Sequence, residues 1–219
     1  MKTHDPTPAR RVAFLGLGVM GAPMAGHLAA AGHQVTVYNR TAAKAQAWVA
    51  QHGGRAAATP REAASGAQFV FACVGNDDDL RSVVLGEHGA LAGMAPGAVL
   101  TDHTTASANV ARALFADARR LGLQFVDAPV SGGQAGAVNG ALTVMCGGDA
   151  AAFDAMRPVA LAYAKAVTRL GDSGAGQLAK MVNQVCIAGL VQALAEGIAF
   201  GQKAGLDRSE ERRVGKECA

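Results

Sequence analysis

Val12-Ala13-Phe14-Leu15-Gly16-Leu17-Gly18-Val19-Met20-Gly21 joins a short apolar run to three glycines in the spacing GxGxxG. The run reads as a strand, and the residues from Val19 to Ala31 read as the helix that follows it. Each glycine then has its own task. Gly16 permits a tight turn, Gly18 leaves the backbone open to a pyrophosphate, and Gly21 lets helix and strand approach closely. The helix N-terminus faces the same point with its partial positive charge. Three glycines in a chain that holds 28 would be a weak signal alone. Their place between a strand and a helix is what points to a dinucleotide.

Working outward, apolar runs alternate with Ala-rich helical stretches, the order expected of a parallel sheet covered on both faces. Strands are predicted at Val12–Leu15, Val35–Tyr38, Phe69–Cys73, Val99–Asp102, Phe125–Val130 and Leu142–Cys146. Helices are predicted near Val19–Ala31, Ala42–His52, Asp77–Leu85, Ser107–Leu121 and Ala150–Ala164, with Thr41, Asn76 and Ser107 as N-caps. The expected class is α/β, a Rossmann-type doubly wound, mostly parallel sheet. From Gly176 to about Gly205 the pattern changes. Leu178, Met181, Val182, Val185, Ile187, Leu190, Val191, Leu194, Ile198 and Phe200 cover most of one helix circumference, and such a helix needs burial. It should open a second, all-α domain.

The end of the second strand selects between nicotinamide cofactors. An NAD site places a carboxylate there for the ribose 2′-hydroxyl, whereas this chain reads Asn39-Arg40-Thr41. The Arg40 guanidinium can pair with a 2′-phosphate, and Asn39 and Thr41 can donate hydrogen bonds to it. NADP is expected, with NAD the weaker alternative.

Composition narrows the other possibilities. Half the 219 residues are apolar, 17% are charged and the net charge is +3, without a basic run that would indicate nucleic acid. Cys73, Cys146, Cys186 and Cys218 form no CxxC pair. The first three sit in apolar segments and are expected to be buried, reduced thiols. The histidines show no metal-ligand spacing. No apolar run approaches the roughly 20 residues that a membrane helix requires, and residues 1–10 lack an apolar signal core. The expectation is a cytoplasmic protein with no nucleic-acid or membrane partner and no metal.

Two further segments carry chemistry. Asp127-Ala128-Pro129-Val130-Ser131-Gly132-Gly133 ends a strand with a hydroxyl and two unobstructed amides, a cradle suited to a carboxylate, although any turn could read this way. Gly174-Ala175-Gly176-Gln177-Leu178-Ala179-Lys180 places a lysine among apolar neighbours, with Asn183 three residues on and on the same face. A partly buried ammonium beside an amide is a proton donor for a carbonyl that accepts hydride.

GLGVMGAPMAGHL, DAPVSGGQAGAVNGALTVMCGG and GAGQLAKMVNQ, in this order and spacing, closely resemble the β-hydroxyacid dehydrogenase family, which includes 3-hydroxyisobutyrate dehydrogenase and 2-hydroxy-3-oxopropionate reductase. The resemblance runs from about Arg11 to Asp207. It implies that Gly16, Leu17, Gly18, Val19, Met20 and Gly21, together with Asn39, Arg40 and Thr41, bind the adenine-nucleotide half of the cofactor. Val74, Gly75 and Thr105 would line its nicotinamide half. Ser131, Gly132 and Gly133 would hold the substrate carboxylate, Lys180 would be catalytic, and Asn183 would contact substrate. It also implies a homo-oligomer in the full-length family form.

There are two departures. Gln184 stands where the family often has a second asparagine, and members usually continue for several helices past the lysine. The expected organisation is a Rossmann-type domain over 9–173, the first helix of an incomplete helical domain over 174–207, and a polar tail over 208–219 outside the resemblance. A truncated or frame-disrupted reading frame is the expectation. The implied reaction is NADP(H)-dependent interconversion of a small β-hydroxy acid with its aldehyde or ketone. The alternative is an NADP-binding module without turnover, completed by or regulating a partner.

Overall fold

The computed structural model describes residues 8–206, so the predicted tail at 208–219 and Cys218 lie outside the described residues. Two units divide the chain, residues 1–180 and 181–219. The first is the α/β body. It runs β1 (Arg11–Leu15), α1 (Gly21–Ala30), β2 (Gln34–Tyr38), α2 (Ala42–His52), β3 (Arg55–Ala56), α3 (Pro60–Ala64), β4 (Phe69–Ala72) and α4 (Asp77–Val84). It continues with β5 (Val99–Asp102), α5 (Ala108–Arg120), β6 (Gln124–Asp127), β7 (Val130–Ser131), α6 (Gly133–Val138), β8 (Leu142–Gly148), α7 (Ala150–Ala160) and β9 (Ala164–Gly171). α8 (Ala175–Lys203) begins inside this unit, past the boundary at residue 173 drawn from sequence, and supplies the described helix of the second.

The strands form one sheet in the order β3-β2-β1-β4-β5-β6-β8-β7, with β9 on β8. Pairings from β3 to β6 are parallel, and β8 lies antiparallel to β6 and β7. The Rossmann-type, mostly parallel sheet is therefore present. Parallel strands covered on both faces must be apolar throughout, and β4, Phe69-Val70-Phe71-Ala72, is buried at every position. Alternate residues feed two cores. Val12, Phe14 and Phe71 pack with Met24, Leu28 and Trp48 on one face, while Ala13, Leu15 and Val70 pack with Leu80, Val110 and Leu114 on the other.

Chain order reverses between β1 and β4, so a crevice opens at their carboxyl ends, where doubly wound folds bind ligands. The turns after both strands meet there. Gly16 has a φ of 95°, and a Cβ on it would overlap the Cys73 carbonyl. Gly21 lies equally close to the Gly16 carbonyl, whereas nothing approaches the position of a Cβ on Gly18. The three tasks assigned to the glycines match this geometry.

Several local expectations are corrected. β9 occupies a stretch read as the end of a helix and a loop; α7 stops at Ala160, just past Pro158, and the next turn leads into the strand. Asn76 and Ser107 cap α4 and α5 through the amides of Asp79 and Val110, but the Thr41 side chain makes no cap. Cys146 is buried and Cys73 half-buried, but Cys186 is exposed on α8. Beyond Lys180, α8 presents Val182, Val185, Leu190, Val191, Leu194 and Phe200 as exposed side chains, which is why a thiol in an apolar segment is not buried there. α8 is 29 residues long and holds an 18-residue stretch of mean hydropathy 1.4, enough by length and composition alone to cross a membrane. This corrects the expectation that no apolar run approaches membrane length: scattered Gln and Asn residues interrupt the helix without making it polar on average.

Candidate functional site

A cleft of about 710 Å³ at the β1/β4 switch point gathers most of the residues expected to hold a dinucleotide. Gly16, Gly18, Val19, Met20 and Gly21 form one wall, Asn39, Arg40 and Thr41 a second, and Val74 and Gly75 a third. Asn39 acts through structure as well as position: its Oδ1 accepts the Leu17 N–H at 2.9 Å and its Nδ2 donates to the Thr41 carbonyl at 3.1 Å. It thereby ties the phosphate turn to the β2 loop. The Leu17 side chain is buried in the core, so only its backbone belongs to the site. Arg40 is 86% exposed at the cleft rim and is paired with Asp79, Nη1 to Oδ1 at 3.1 Å. Burial pushes the Cys73 thiol, also in the lining, up to about 12, aided by the Asp102 charge, so it is no nucleophile at neutral pH.

The open space at Gly18 and the cation at the rim fit the phosphate groups of a dinucleotide. Thr105 stands apart from this set. It is exposed in the loop after β5, and its buried neighbour Thr104 instead accepts the Val74 N–H on Oγ1 at 3.1 Å.

Ser131 closes β7 half-buried, and Gly132 and Gly133 turn the chain into α6 with φ of 126° and 59°. Both angles favour glycine, which accounts for the pair. This turn does not line the cofactor cleft. The helix it opens does approach the phosphate turn: Gln134, Val138 and Asn139 share a groove of about 910 Å³ with Gly18 and Val19.

Lys180 stands in the first turns of α8. It is 8% exposed, and burial holds its ammonium below the ordinary 10.5. Among the described residues no carboxylate pairs with it. The start of its helix is pinned from two directions. Asp127, fully buried at the end of β6, accepts the Gly174 N–H on Oδ1 at 2.7 Å and the Gln177 N–H on Oδ2 at 3.0 Å. Gln177, one turn before the lysine, accepts the Ala106 N–H at 3.0 Å and donates to the Thr104 carbonyl at 2.7 Å. A hydrogen-bonded path therefore runs from Val74 in the cofactor cleft through Thr104 and Gln177 to the turn that carries Lys180. Sequence reading quoted Asp127 and Gln177 within motifs but gave them no role, because their partners lie 47 to 73 residues away. Asn183 follows one turn later on α8, in the second unit, half-buried.

Beside this path, burial pushes the Asp102 carboxyl up to about 7, against the opposing hydrogen bond from the Thr104 N–H at 2.9 Å. Its other oxygen, Oδ2, has no partner. A carboxyl raised in the folded state stabilises the fold fully below its ordinary 3.8 and loses that contribution as pH climbs through about 7. The gap sets an upper bound of roughly 4 kcal/mol. Asp102→Asn mimics the protonated acid, so thermal melts should match wild type near pH 4 and show a higher Tm than wild type at pH 8. Equal melting at pH 8 would show that Asp102 does not ionise at this cost. The adjacent His103, lowered by burial to about 4, is neutral. Because the Ala128 carbonyl can only accept, Nδ1 donates to it at 2.6 Å and Nε2 accepts from the Tyr163 hydroxyl at 2.7 Å.

Comparison with known proteins agrees with this geometry. Residues 11–171 match the model of the NAD binding domain of 6-phosphogluconate dehydrogenase. Residues 174–217 match that of the NAD-binding domain of NADP-dependent 3-hydroxyisobutyrate dehydrogenase. The chain belongs to the β-hydroxyacid dehydrogenase family. The second match gives α8 a place in a dehydrogenase and runs past Asp207, where the motif resemblance was expected to fade. An uncharacterised oxidoreductase of Shewanella frigidimarina is 66% identical over 90% of this chain and 68% of its own length. A probable mitochondrial 3-hydroxyisobutyrate dehydrogenase-like protein of Arabidopsis thaliana is 43% identical over 94% of this chain and 68% of its own. The 3-hydroxyisobutyrate dehydrogenase of Mycobacterium tuberculosis, solved with L-serine, superposes with a TM-score of 0.88 at 34% identity, covering 94% of this chain and 69% of that one. The chain thus spans about two thirds of the length of these relatives, and the family marks it as an NAD(P)-dependent hydroxyacid dehydrogenase.

Proposed function

We propose that this β-hydroxyacid dehydrogenase uses NADP(H) to interconvert a small 3-hydroxy acid, or a 2-hydroxy-3-oxo acid, with its aldehyde or ketone. The observation that carries the reading is a buried Lys180, paired with no carboxylate among the described residues, on a helix start whose Gln177 donates to the Thr104 carbonyl while the Thr104 hydroxyl accepts the N–H of Val74 in the cofactor cleft. A bound nicotinamide would supply or accept the hydride. Lys180 then gives a proton to the substrate oxygen in reduction and takes it in oxidation. Ser131 and the Gly132 and Gly133 amides hold the carboxylate, and Asn183 contacts the substrate from the same helix as the lysine. Thr105 is assigned to the nicotinamide half. L-serine, present with the mycobacterial relative, is itself a 3-hydroxy acid and supports this substrate class.

The preference for NADP rests on Arg40 at the end of β2, where a carboxylate would otherwise select NAD. Titration with both cofactors tests it. Arg40→Gln should weaken NADPH about tenfold or more while leaving NADH little changed, because a charge-assisted contact to phosphate is lost. An NADH dissociation constant at or below that for NADPH removes the preference. A second reading, cofactor binding without turnover, is favoured by the exposed apolar length of α8. Assaying this chain against short 3-hydroxy acids, including L-serine and 3-hydroxyisobutyrate, separates the two. Turnover supports the enzyme, and NADPH binding without turnover supports the module.

A further inference from the structure

Arg40, the cation on which NADP selection depends, faces an acidic residue inside the same cleft. Asp79 belongs to the first turn of α4, after the loop that follows β4, and its Oδ1 lies 3.1 Å from Arg40 Nη1. Its other oxygen folds inward over Gly75, 2.6 Å from where a Cβ on that glycine would sit. A Cβ at position 75 would displace that carboxylate oxygen. Asp79 therefore spans the cleft from the Gly75 backbone to the Arg40 guanidinium.

Two features hold the carboxylate in place. Its own N–H is taken by Asn76 Oδ1 at 2.9 Å, which fixes the turn, and the N-terminus of α4 favours a negative charge at this position. Arg40 is 86% exposed while the Asp79 side chain is 31% exposed, so the cation is the mobile partner and the carboxylate the anchored one.

We propose that Asp79 is a specificity-determining residue that restrains the preference for NADP over NAD, an inference that rests on the assignment of Arg40 to the 2′-phosphate. A 2′-phosphate entering beside Arg40 must compete with Asp79 for the guanidinium and bears the like-charge repulsion of that carboxylate. A ribose with a free 2′-hydroxyl meets the opposite situation, since a carboxylate can accept its hydrogen bond. The acidic group that NAD sites place at the end of β2 is absent from this chain, and α4 brings one to the same end of the cleft from a distant part of the sequence. Lys44, also in the lining, leaves a second cation for the phosphate when Arg40 is engaged.

The test is a titration of the 219-residue chain with NADPH and with NADH, for wild type, Asp79→Asn, Asp79→Glu and Arg40→Gln. Asp79→Asn should tighten NADPH by about three- to tenfold, because it removes a partly exposed like charge and frees Arg40. NADH affinity should stay the same or weaken. The gain should shrink as salt rises from about 20 mM to about 500 mM, since the interaction is screened at the rim. Asp79→Glu keeps the charge and should keep the wild-type ratio. An unchanged NADPH to NADH ratio in Asp79→Asn, with Arg40→Gln still weakening NADPH, overturns the role of Asp79 alone. The same holds if Asp79→Glu shifts the ratio as far as Asp79→Asn. Arg40→Gln with wild-type NADPH affinity overturns the NADP assignment underneath.

Discussion

Lys180→Ala is expected to lower kcat by about 10²- to 10⁴-fold, the usual worth of a positioned proton donor, while NADPH affinity changes by no more than about twofold. The separation follows from the layout. The cofactor cleft is built from the turns after β1, β2 and β4, whereas the lysine stands on α8 and is absent from that lining. In its proposed role, losing it removes proton transfer and leaves the phosphate turn in place. Burial holds the Lys180 ammonium below 10.5, which shapes the pH dependence. Oxidation needs the neutral amine and should speed up as pH rises toward an inflection below 10.5, while reduction needs the ammonium and should slow over the same range. Lys180→Arg, charged at every accessible pH, should abolish the inflection. Wild-type kcat in Lys180→Ala would remove the lysine from the reaction.

What could be seen in the sequence was local. β1, β2 and α2 have apolar periods and turn residues within a few positions of each other, and the glycines at 16, 18 and 21 announce a backbone that must bend, stay open and pack closely. The family motifs brought Lys180 and the Ser131 turn into the same reading. Other features depend on pairings that no window of sequence contains. β9 has only scattered apolar residues in Ala164-Lys165-Ala166-Val167-Thr168-Arg169-Leu170-Gly171 and exists because β8 offers it a parallel edge. The ion pair between Arg40 and Asp79 joins residues 39 positions apart. Thr105 is expected to line the nicotinamide half on resemblance alone, and the hydroxyl and carbonyl that link the cofactor cleft to α8 belong to its neighbour Thr104. Propensity and motif indicate which residues are special, while hydrogen bonds between distant residues, such as these, are set by the fold.

Asp127 is the residue whose loss should cost the fold most. Both of its oxygens accept backbone N–H groups at the start of α8, Gly174 at 2.7 Å and Gln177 at 3.0 Å, and the side chain is fully buried. A carboxylate there satisfies donors that no intrahelical carbonyl can reach and lies where the helix dipole is positive. The backbone has been shaped around it. A Cβ on Gly147 would come within 2.7 Å of Asp127 Oδ1, and one on Gly176 within 2.9 Å of Oδ2. Burial alone raises the Asp127 carboxyl, and the hydrogen bonds from Gly174 and Gln177 oppose that rise. Asp127→Ala leaves two buried donors without acceptors and a void beside them, a loss of about 3–5 kcal/mol. For a chain of this length that corresponds to a fall in Tm of roughly 10 °C. Asp127→Asn retains one acceptor and should fall between Asp127→Ala and wild type. Hydrogen exchange at Gly174 and Gln177 separates loss of this cap from general loosening: their amides should lose protection in Asp127→Ala more than those of β1 and β4. Because the same cap orients the turn carrying Lys180, Asp127→Asn should also lower kcat more than it weakens NADPH. A variant that melts with wild type and keeps both amides protected would show that the helix start is held by Gln177 alone.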